Sequence, residues 1–375
     1  MKITVETKVF SNAVKPLKAL VNQKATMPSL LNIHFKGENG VLSLITSDLE
    51  CTMRIDVPYV SDDQGRWEFL ANAELLNNML ATIKDSSISL VITDDLSSCT
   101  IITNKGKFNF PCENADSYIQ ANFEIEGKGI EVNSKAFTSA IKKSQKFQSV
   151  DTSRPQMQGT FVSAKESSIT IYATDAHRMY KGVVKTESVQ EEEITAIIPQ
   201  KATTLLQGLI GDDNITIKIS DKNILMKNAN TSFLFQMVEG NYPKCESIIP
   251  KNKDYKLIIS KEELNDNIKQ VQIFADKSNG CVKIENTEKG MIMSANDSET
   301  QKTAKVLVDK RNIKENTLPT DFVIGFKAPF LLDCINTPND DNVSVYFNTP
   351  QKPILIFNED NEEEETILLM PIMVN

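Results

Sequence analysis

The feature that most constrains this chain is internal repetition: one pattern is written three times. Three segments open alike, MKITVETKVFSNAVKPLKALV from residue 1, GIEVNSKAFTSAIKKSQKFQS from residue 129 and YKLIISKEELNDNIKQVQIFA from residue 255. Each reads as a short alternating strand, a polar or charged break, then apolar residues at helical spacing. A strand ending on aspartate follows in each copy: SLITSD at Asp48, IYATD at Asp175 and IMSAND at Asp297, spaced by 127 and 122 residues. A second helix comes next (NAELLNNMLATI, PQKATTLLQGLI and FKAPFLLDCI), and paired strands close the unit. A period this long is one domain per repeat and exceeds a solenoid unit. The expectation is an α+β chain of three tandem domains, 1–127, 128–252 and 253–375, each packing two helices on antiparallel strands.

Length and composition agree. A chain of 375 residues is too long for one ordinary core, and 40% hydrophobic with 24% charged residues is a globular balance. MKITVETKVF is charged from its second residue and lacks the apolar stretch of a signal peptide. No apolar run approaches the roughly 18 residues of a membrane span. Six scattered cysteines without a CxxC pair read as reduced thiols, so a cytoplasmic location is expected. No phosphate-binding glycine loop, nucleophile elbow or HExxH motif is present. With only His34 and His177, a histidine-based metal site or triad lacks its parts, so neither catalysis, metal nor cofactor is expected. The carboxylate pairs Asp62-Asp63, Asp94-Asp95, Asp212-Asp213 and Asp340-Asp341 sit beside apolar runs and read as solvated turns. Glu362–Glu365 reads as a solvated loop.

The positive charge is segregated. At about 100° per residue, Phe137, Ile141, Ser144 and Gln148 form one stripe of the second repeat's first helix. Lys135, Lys142 and Lys146 fall about 140–180° away and Lys143 about 240°. In the first repeat Phe10, Val14, Leu17 and Val21 form the stripe, Lys8, Lys15 and Lys18 lie about 80–160° from it, and Lys24 follows just beyond. Pro16 inside this pattern predicts a late helix start or a kink. Residues 8–24 and 134–148 hold these eight lysines and no acid, in a chain whose net charge is −9. The third repeat mixes Lys261, Lys269 and Lys277 with Glu262, Glu263, Asp266 and Asp276. Lysine faces of this kind bind phosphate backbones without reading bases. The expected partner is double-stranded DNA, contacted by these lysines together with Arg154 and Lys201.

Four local patterns carry a family resemblance. TMPSLLNIHF with LSLITSDLECTM lies in the first repeat, and Thr174-Asp175-Ala176-His177-Arg178-Met179 in the second resembles a TDGHRL motif with alanine for glycine. VEGNYPKCESIIP at 238–250 matches a DGRFPDY-type segment with Cys245 for tyrosine. The ending Leu368-Leu369-Met370-Pro371-Ile372-Met373-Val374 resembles VVMPMRL, with Met373 where arginine is common and Asn375 added. Over its full length the chain resembles the bacterial β sliding clamps, the processivity subunits of replicative DNA polymerase. The resemblance implies a homodimer whose six similar domains close head to tail into a ring around the duplex, helices inside and sheets outside. It implies as partners the polymerase, the clamp loader and other proteins carrying a short peptide with glutamine and large apolar residues. The implied peptide pocket draws on Met157, Thr174, His177, Arg178, Met179, Pro243 and Ile248 from the second repeat. Phe330, Ile354, Leu369, Met370, Pro371 and Ile372 complete it from the third. Methionines are pliable and suit a surface that accepts several partners.

For the ring joint the resemblance points to Lys105, Lys107, Phe108 and Phe110 on one side and Ile273 and Phe274 on the other. Counted from Leu264, the third repeat's stripe is Ile268, Val271 and Ala275, which puts Ile273 about 180° from it. An apolar residue opposite its own core wants a partner surface. Asp276, Asp297 and Glu299 are the candidate acids facing the basic edge. The rival to a threaded clamp is a repeat-built interaction scaffold that never touches DNA.

Overall fold

The computed structural model describes residues 1–61, 65–116, 118–206, 214–359, 362 and 364–374. Compactness divides the chain into two units, Met1–Thr138 with Thr186–Met237, and Ser139–Lys185 with Val238–Asn375. The second repeat is thus shared between them. The reason is strand pairing across repeats. In the first unit Cys51–Pro58 of repeat one ladders with Thr231–Gln236 of repeat two, Phe233 opposite Met53. In the second unit Arg178–Gly182 of repeat two ladders with Glu365–Leu369 of repeat three, Arg178 opposite Leu369.

The expected helices form: α1 (Thr7–Leu20), α2 (Ala73–Leu80), α3 (Ser134–Ser144), α4 (Gln200–Leu206), α5 (Lys261–Val271) and α6 (Ala328–Ile335). Phe10, Val14, Leu17 and Val21 are buried, and α1 lies against α2 and the strands Val41–Ser47 and Cys51–Pro58. Helix α1 begins at Thr7, so Pro16 does not delay its start; it sits inside, removing one ladder donor. On α3 the stripe Phe137, Ile141, Ser144 and Gln148 is buried as expected. Both polar members bond to Thr160, whose hydroxyl lies 2.8 Å from Ser144 Oγ and accepts from Gln148 Nε2 at 2.9 Å. Two caps follow the rule that a short polar side chain satisfies an orphan N–H: Asn72 accepts from Leu75 N on α2, and Ser260 from Glu263 N on α5.

Each unit also carries a four-stranded antiparallel sheet. In the first unit its order is Lys2–Glu6, Ser87–Ile92, Ser98–Ile102, Lys107–Pro111. In the second it is Lys302–Leu307, Gly290–Asp297, Cys281–Thr287, Phe322–Lys327. Among the described residues, Lys107–Pro111 and Lys302–Leu307 are edge strands, each laddered on one side only.

The aspartate that marks each repeat makes the same turn three times. Asp48 Oδ1 accepts from Glu50 and Cys51 N–H, Asp175 Oδ1 from His177 and Arg178, and Asp297 Oδ1 from Glu299 and Thr300. These are Asx-type turns, in which a carboxylate replaces a backbone acceptor. Asp94-Asp95 and Asp340-Asp341 are likewise turn or bend residues; Asp62-Asp63, Asp212-Asp213, Glu363 and Asn375 lie outside the described residues.

Candidate functional site

The DNA-facing set divides. On α1, Lys8 and Lys15 are exposed opposite the buried stripe, Lys24 is exposed beyond the helix, and Lys18 is half-buried. On α3 and the 3-10 turn that extends it, Lys135, Lys142 and Lys146 are exposed, and Lys146 Nζ reaches Asn336 O at 3.5 Å. Arg154 is exposed in the following loop. Two members are corrected. Lys143 turns inward and donates to Glu365 Oε2 at 2.8 Å, where Asn358 Nδ2 also donates at 3.1 Å. Tyr180 completes this buried network, and burial first, then the Glu365 carboxylate, pushes its phenol well above the usual range. Lys201 is paired with the buried carboxylate of Asp48. A lysine whose charge is spent on a protein carboxylate adds little to phosphate binding.

Every residue of the expected peptide pocket falls in the second unit. Its centre is Arg178, which is only 8% exposed. Its backbone N–H closes the Asp175 turn, and its Nε donates to Asp175 Oδ2 at 3.0 Å. One terminal nitrogen donates to Asp333 Oδ2 on α6 at 2.6 Å. The guanidinium carbon lies over two rings, 4.4 Å from the Phe330 centroid and 5.4 Å from that of Phe147. Burial alone would lower its pKa, but the hydrogen bonds to Asp333 and Asp175 prevail and raise it. Such a planar fork between carboxylates and aromatic faces is a site lysine could not fill.

Arg178 thereby holds Phe330, the ring on which His177 stacks at 5.8 Å. His177 O accepts from Met370 N at 2.8 Å, which brings the C-terminal segment to the same place. His177, Pro243, Ile248 and Met370 are exposed, and Phe330, Pro371 and Ile372 half-buried. Four expected lining residues are buried beneath this surface. Met179 is buried in a cluster with Cys245, Leu355, Phe357 and Leu368, Ile354 and Leu369 are buried ladder partners, and Thr174 is buried with its hydroxyl on Arg178 O. Met157 is also buried, on the 3-10 turn Pro155–Gln158, and backs the surface from within. Ala176, which stands where the resembling motif has glycine, keeps the glycine conformation, with φ of 73°.

At the expected joint, Phe108 is 42% exposed at the edge strand, between exposed Lys105 and Lys107 and the strand's end. Phe110 is corrected: two residues on, it points the same way but lies opposite Cys99 inside the core. Helix α5 ends at Val271, so Ile273 sits on a 3-10 turn (Gln272–Phe274) and the helical wheel does not reach it. It is nonetheless 74% exposed, with Phe274 at 37%. That turn lies against the edge strand Lys302–Leu307, where Leu307 adds an exposed apolar side chain that the sequence reading passed over. Asp297 is corrected as a facing acid, since its two oxygens serve its own turn, one taking N–H groups and the other the Thr300 hydroxyl at 2.6 Å.

His34 is a core residue, its Nε2 3.1 Å from Glu68 Oε2; burial lowers its pKa against the pull of Glu68. Among the described residues no group of three or more His, Cys, Asp or Glu side chains is placed to hold a metal ion, and no helix is long and apolar enough to cross a membrane.

Lysine-bearing helix faces, edge strands with exposed apolar side chains, and a partly exposed surface of His177, Phe330 and Met370 fit one class: repeat-built proteins that work by holding other macromolecules. Comparison with known proteins names the family. Models of the DNA polymerase III beta subunit match along the chain, the N-terminal domain over residues 1–121, the central domain over 131–244 and the C-terminal domain over 246–373. The beta sliding clamp of Rickettsia bellii is 26% identical over 390 aligned residues, covering 100% of both chains. That of Helicobacter pylori strain 26695 is 25% identical, covering 99% of this chain and 100% of the relative. The sliding clamp of Pseudomonas aeruginosa superposes with a TM-score of 0.90 at 18% identity over 100% of each chain. The beta subunit of Streptococcus pyogenes does so with 0.90 at 19% over 100% of each. The chain belongs to the DNA polymerase III beta subunit family.

Proposed function

We propose that this chain is a DNA sliding clamp, a processivity factor rather than an enzyme, working in the cytoplasm. Two copies, each of three clamp domains (1–127, 128–252 and 253–375), close head to tail into a ring on duplex DNA. The observation that carries this is the acid-free lysine face of α1 and of α3, in a chain of net charge −9. Weak, sequence-blind phosphate contacts suit a ring, because topology retains the DNA and tight binding would only impede sliding. The inward set is Lys8, Lys15, Lys18, Lys24, Lys135, Lys142, Lys146 and Arg154. Partners, among them the replicative polymerase and the loader, dock a short peptide on the surface around His177, Phe330 and Met370.

The deciding experiment is retention. Loaded protein should stay on closed circular DNA and run off once the circle is cut; a scaffold that never threads DNA would show no dependence on cutting. The joint is tested separately. Phe108→Asp together with Ile273→Asp should give monomers in sedimentation, because two like charges would be buried at one dry contact. A variant that still sediments as a dimer would move the joint elsewhere.

A further inference from the structure

We infer that Gly325 is a positioning residue for the docking surface: it is the seat on which the chain's own tail is held, so that Met370 and Pro371 form a fixed lip. The inference rests on the partner-docking reading above. The strand Glu365–Leu369 ladders with Arg178–Gly182 on one side and Ile354–Ile356 on the other. One further hydrogen bond, Met370 N to His177 O at 2.8 Å, extends that ladder. The next donor toward that strand would be Ile372 N, which turns elsewhere, and Pro371 between them brings no N–H to either neighbour. Past the proline the chain joins a different sheet, Ile372 N donating to Gly325 O at 2.8 Å in an antiparallel bridge. Gly325 belongs to the strand Phe322–Lys327, whose other side is laddered to Cys281–Thr287. The segment Met370–Ile372 is therefore pinned at both ends, on two sheets, with a proline at the crossing. A surface held in this way has little freedom left to lose when a partner lands on it.

Space, and not backbone freedom, requires glycine here. Gly325 lies outside the left-handed region, where any residue could follow the backbone. A Cβ at this position would stand 2.5 Å from Val374 Cγ2, 3.0 Å from Cys281 Sγ and 3.2 Å from Ile372 O. Two of those three atoms belong to the tail itself. Met373, between them, points to solvent at 90% exposure, as strand alternation demands when Ile372 and Val374 face the sheet. A larger residue at 325 would thus lift the tail off its seat without touching the Arg178 cluster.

The test measures binding of a fluorescein-labelled synthetic peptide of about eight residues, carrying one glutamine, one leucine and one phenylalanine, to the full-length protein by anisotropy. Gly325→Val should weaken binding by about tenfold or more. Gly325→Ala should weaken it less, and Gly325→Ala with Val374→Ala should bind more tightly than Gly325→Ala alone, because the closest clash is gone. In a chain ending at Met370, which should itself bind the peptide weakly, Gly325→Val should add less than about a twofold change. Truncation that weakens binding while Gly325→Val leaves it intact overturns the inference and spares the docking surface. So does a further large loss from Gly325→Val in the truncated chain, since the residue would then act without the tail. Truncation with no effect removes the docking reading and the inference together.

Discussion

The turns at Asp48 and Asp175 are copies of one device, and they differ at a single oxygen. In both, Oδ1 accepts two backbone N–H groups and the next residue takes a left-handed conformation, Leu49 at φ 82° and Ala176 at φ 73°. At Asp48, Oδ2 meets Lys201, whose side chain is 41% exposed. At Asp175, Oδ2 meets Arg178, which is buried and continues to Asp333 and to the faces of Phe330 and Phe147. Repetition keeps the turn because the turn is local chemistry. The outward oxygen is free to be reassigned, and in the second repeat it anchors Arg178 beneath the surface proposed for partner docking. In a chain built from copies, function is found where equivalent positions stop being equivalent.

That contrast is broken most forcefully by removing the two cations in turn. Arg178→Ala leaves two carboxylates without their shared partner and a gap between two rings. Breaking a buried pair on one side costs about 3–5 kcal/mol. Urea unfolding should show a loss of that size, with binding of the synthetic peptide abolished. Lys201→Ala uncovers a buried carboxylate that keeps its two backbone N–H partners. Because the lysine it loses is 41% exposed, water can take its place, so the cost should be smaller, about 1–2 kcal/mol. Equal losses in the two variants would mean that the turns are still equivalent and that Arg178 is no special anchor.

The parts that were legible in the sequence are those governed by local rules. The strand–helix repeats, the buried stripes on α1 and α3 and the recurring strand that closes on an aspartate all follow from spacing and side-chain type. Exposed Phe108 and Ile273 were also readable, although Ile273 for an imperfect reason, since the α-helix ends before it. What escaped depends on residues far apart in sequence. Lys143 and Glu365 are separated by 222 positions, and nothing near Lys143 announces its partner. Its wheel angle, about 240° where its neighbours lie at about 140–180°, was the one faint sign that it leaves their face. Gly325 gave no signal, because its reason is a side chain that arrives from the end of the chain.

A smaller effect sharpens the comparison. A residue with a Cβ pays about 1–2 kcal/mol to sit in the left-handed region, and glycine avoids this at an entropic cost of about 0.5–1 kcal/mol. Ala176→Gly and Leu49→Gly should therefore each stabilise the protein by about 0.5–1 kcal/mol, read as a shift in urea midpoint at unchanged slope. The two gains should match, since the strain belongs to the shared turn and not to the cation outside it. A gain at Leu49 without one at Ala176 would show that the Arg178 cluster has reshaped its own turn.

The third copy supplies the faintest test, through pH. Among the described residues no cation pairs with the second oxygen of Asp297; the Thr300 hydroxyl takes that place, and Thr300 and Glu299 N–H groups hold the first. The hydroxyl of Thr300, then its backbone N–H, hold the carboxyl below the ordinary aspartate value against the opposing effect of burial. The sign follows from proton uptake. Between the folded and the ordinary value the unfolded chain binds a proton that the folded chain does not, so stability falls as pH drops through that window. The window lies below the ordinary value of about 3.9. In Asp297→Asn the decline of the urea midpoint below about pH 4 should be shallower than in the unaltered chain, while above that pH the two curves run parallel. An identical acid slope would mean that the third turn's carboxylate contributes nothing by being charged, and that only its shape was inherited.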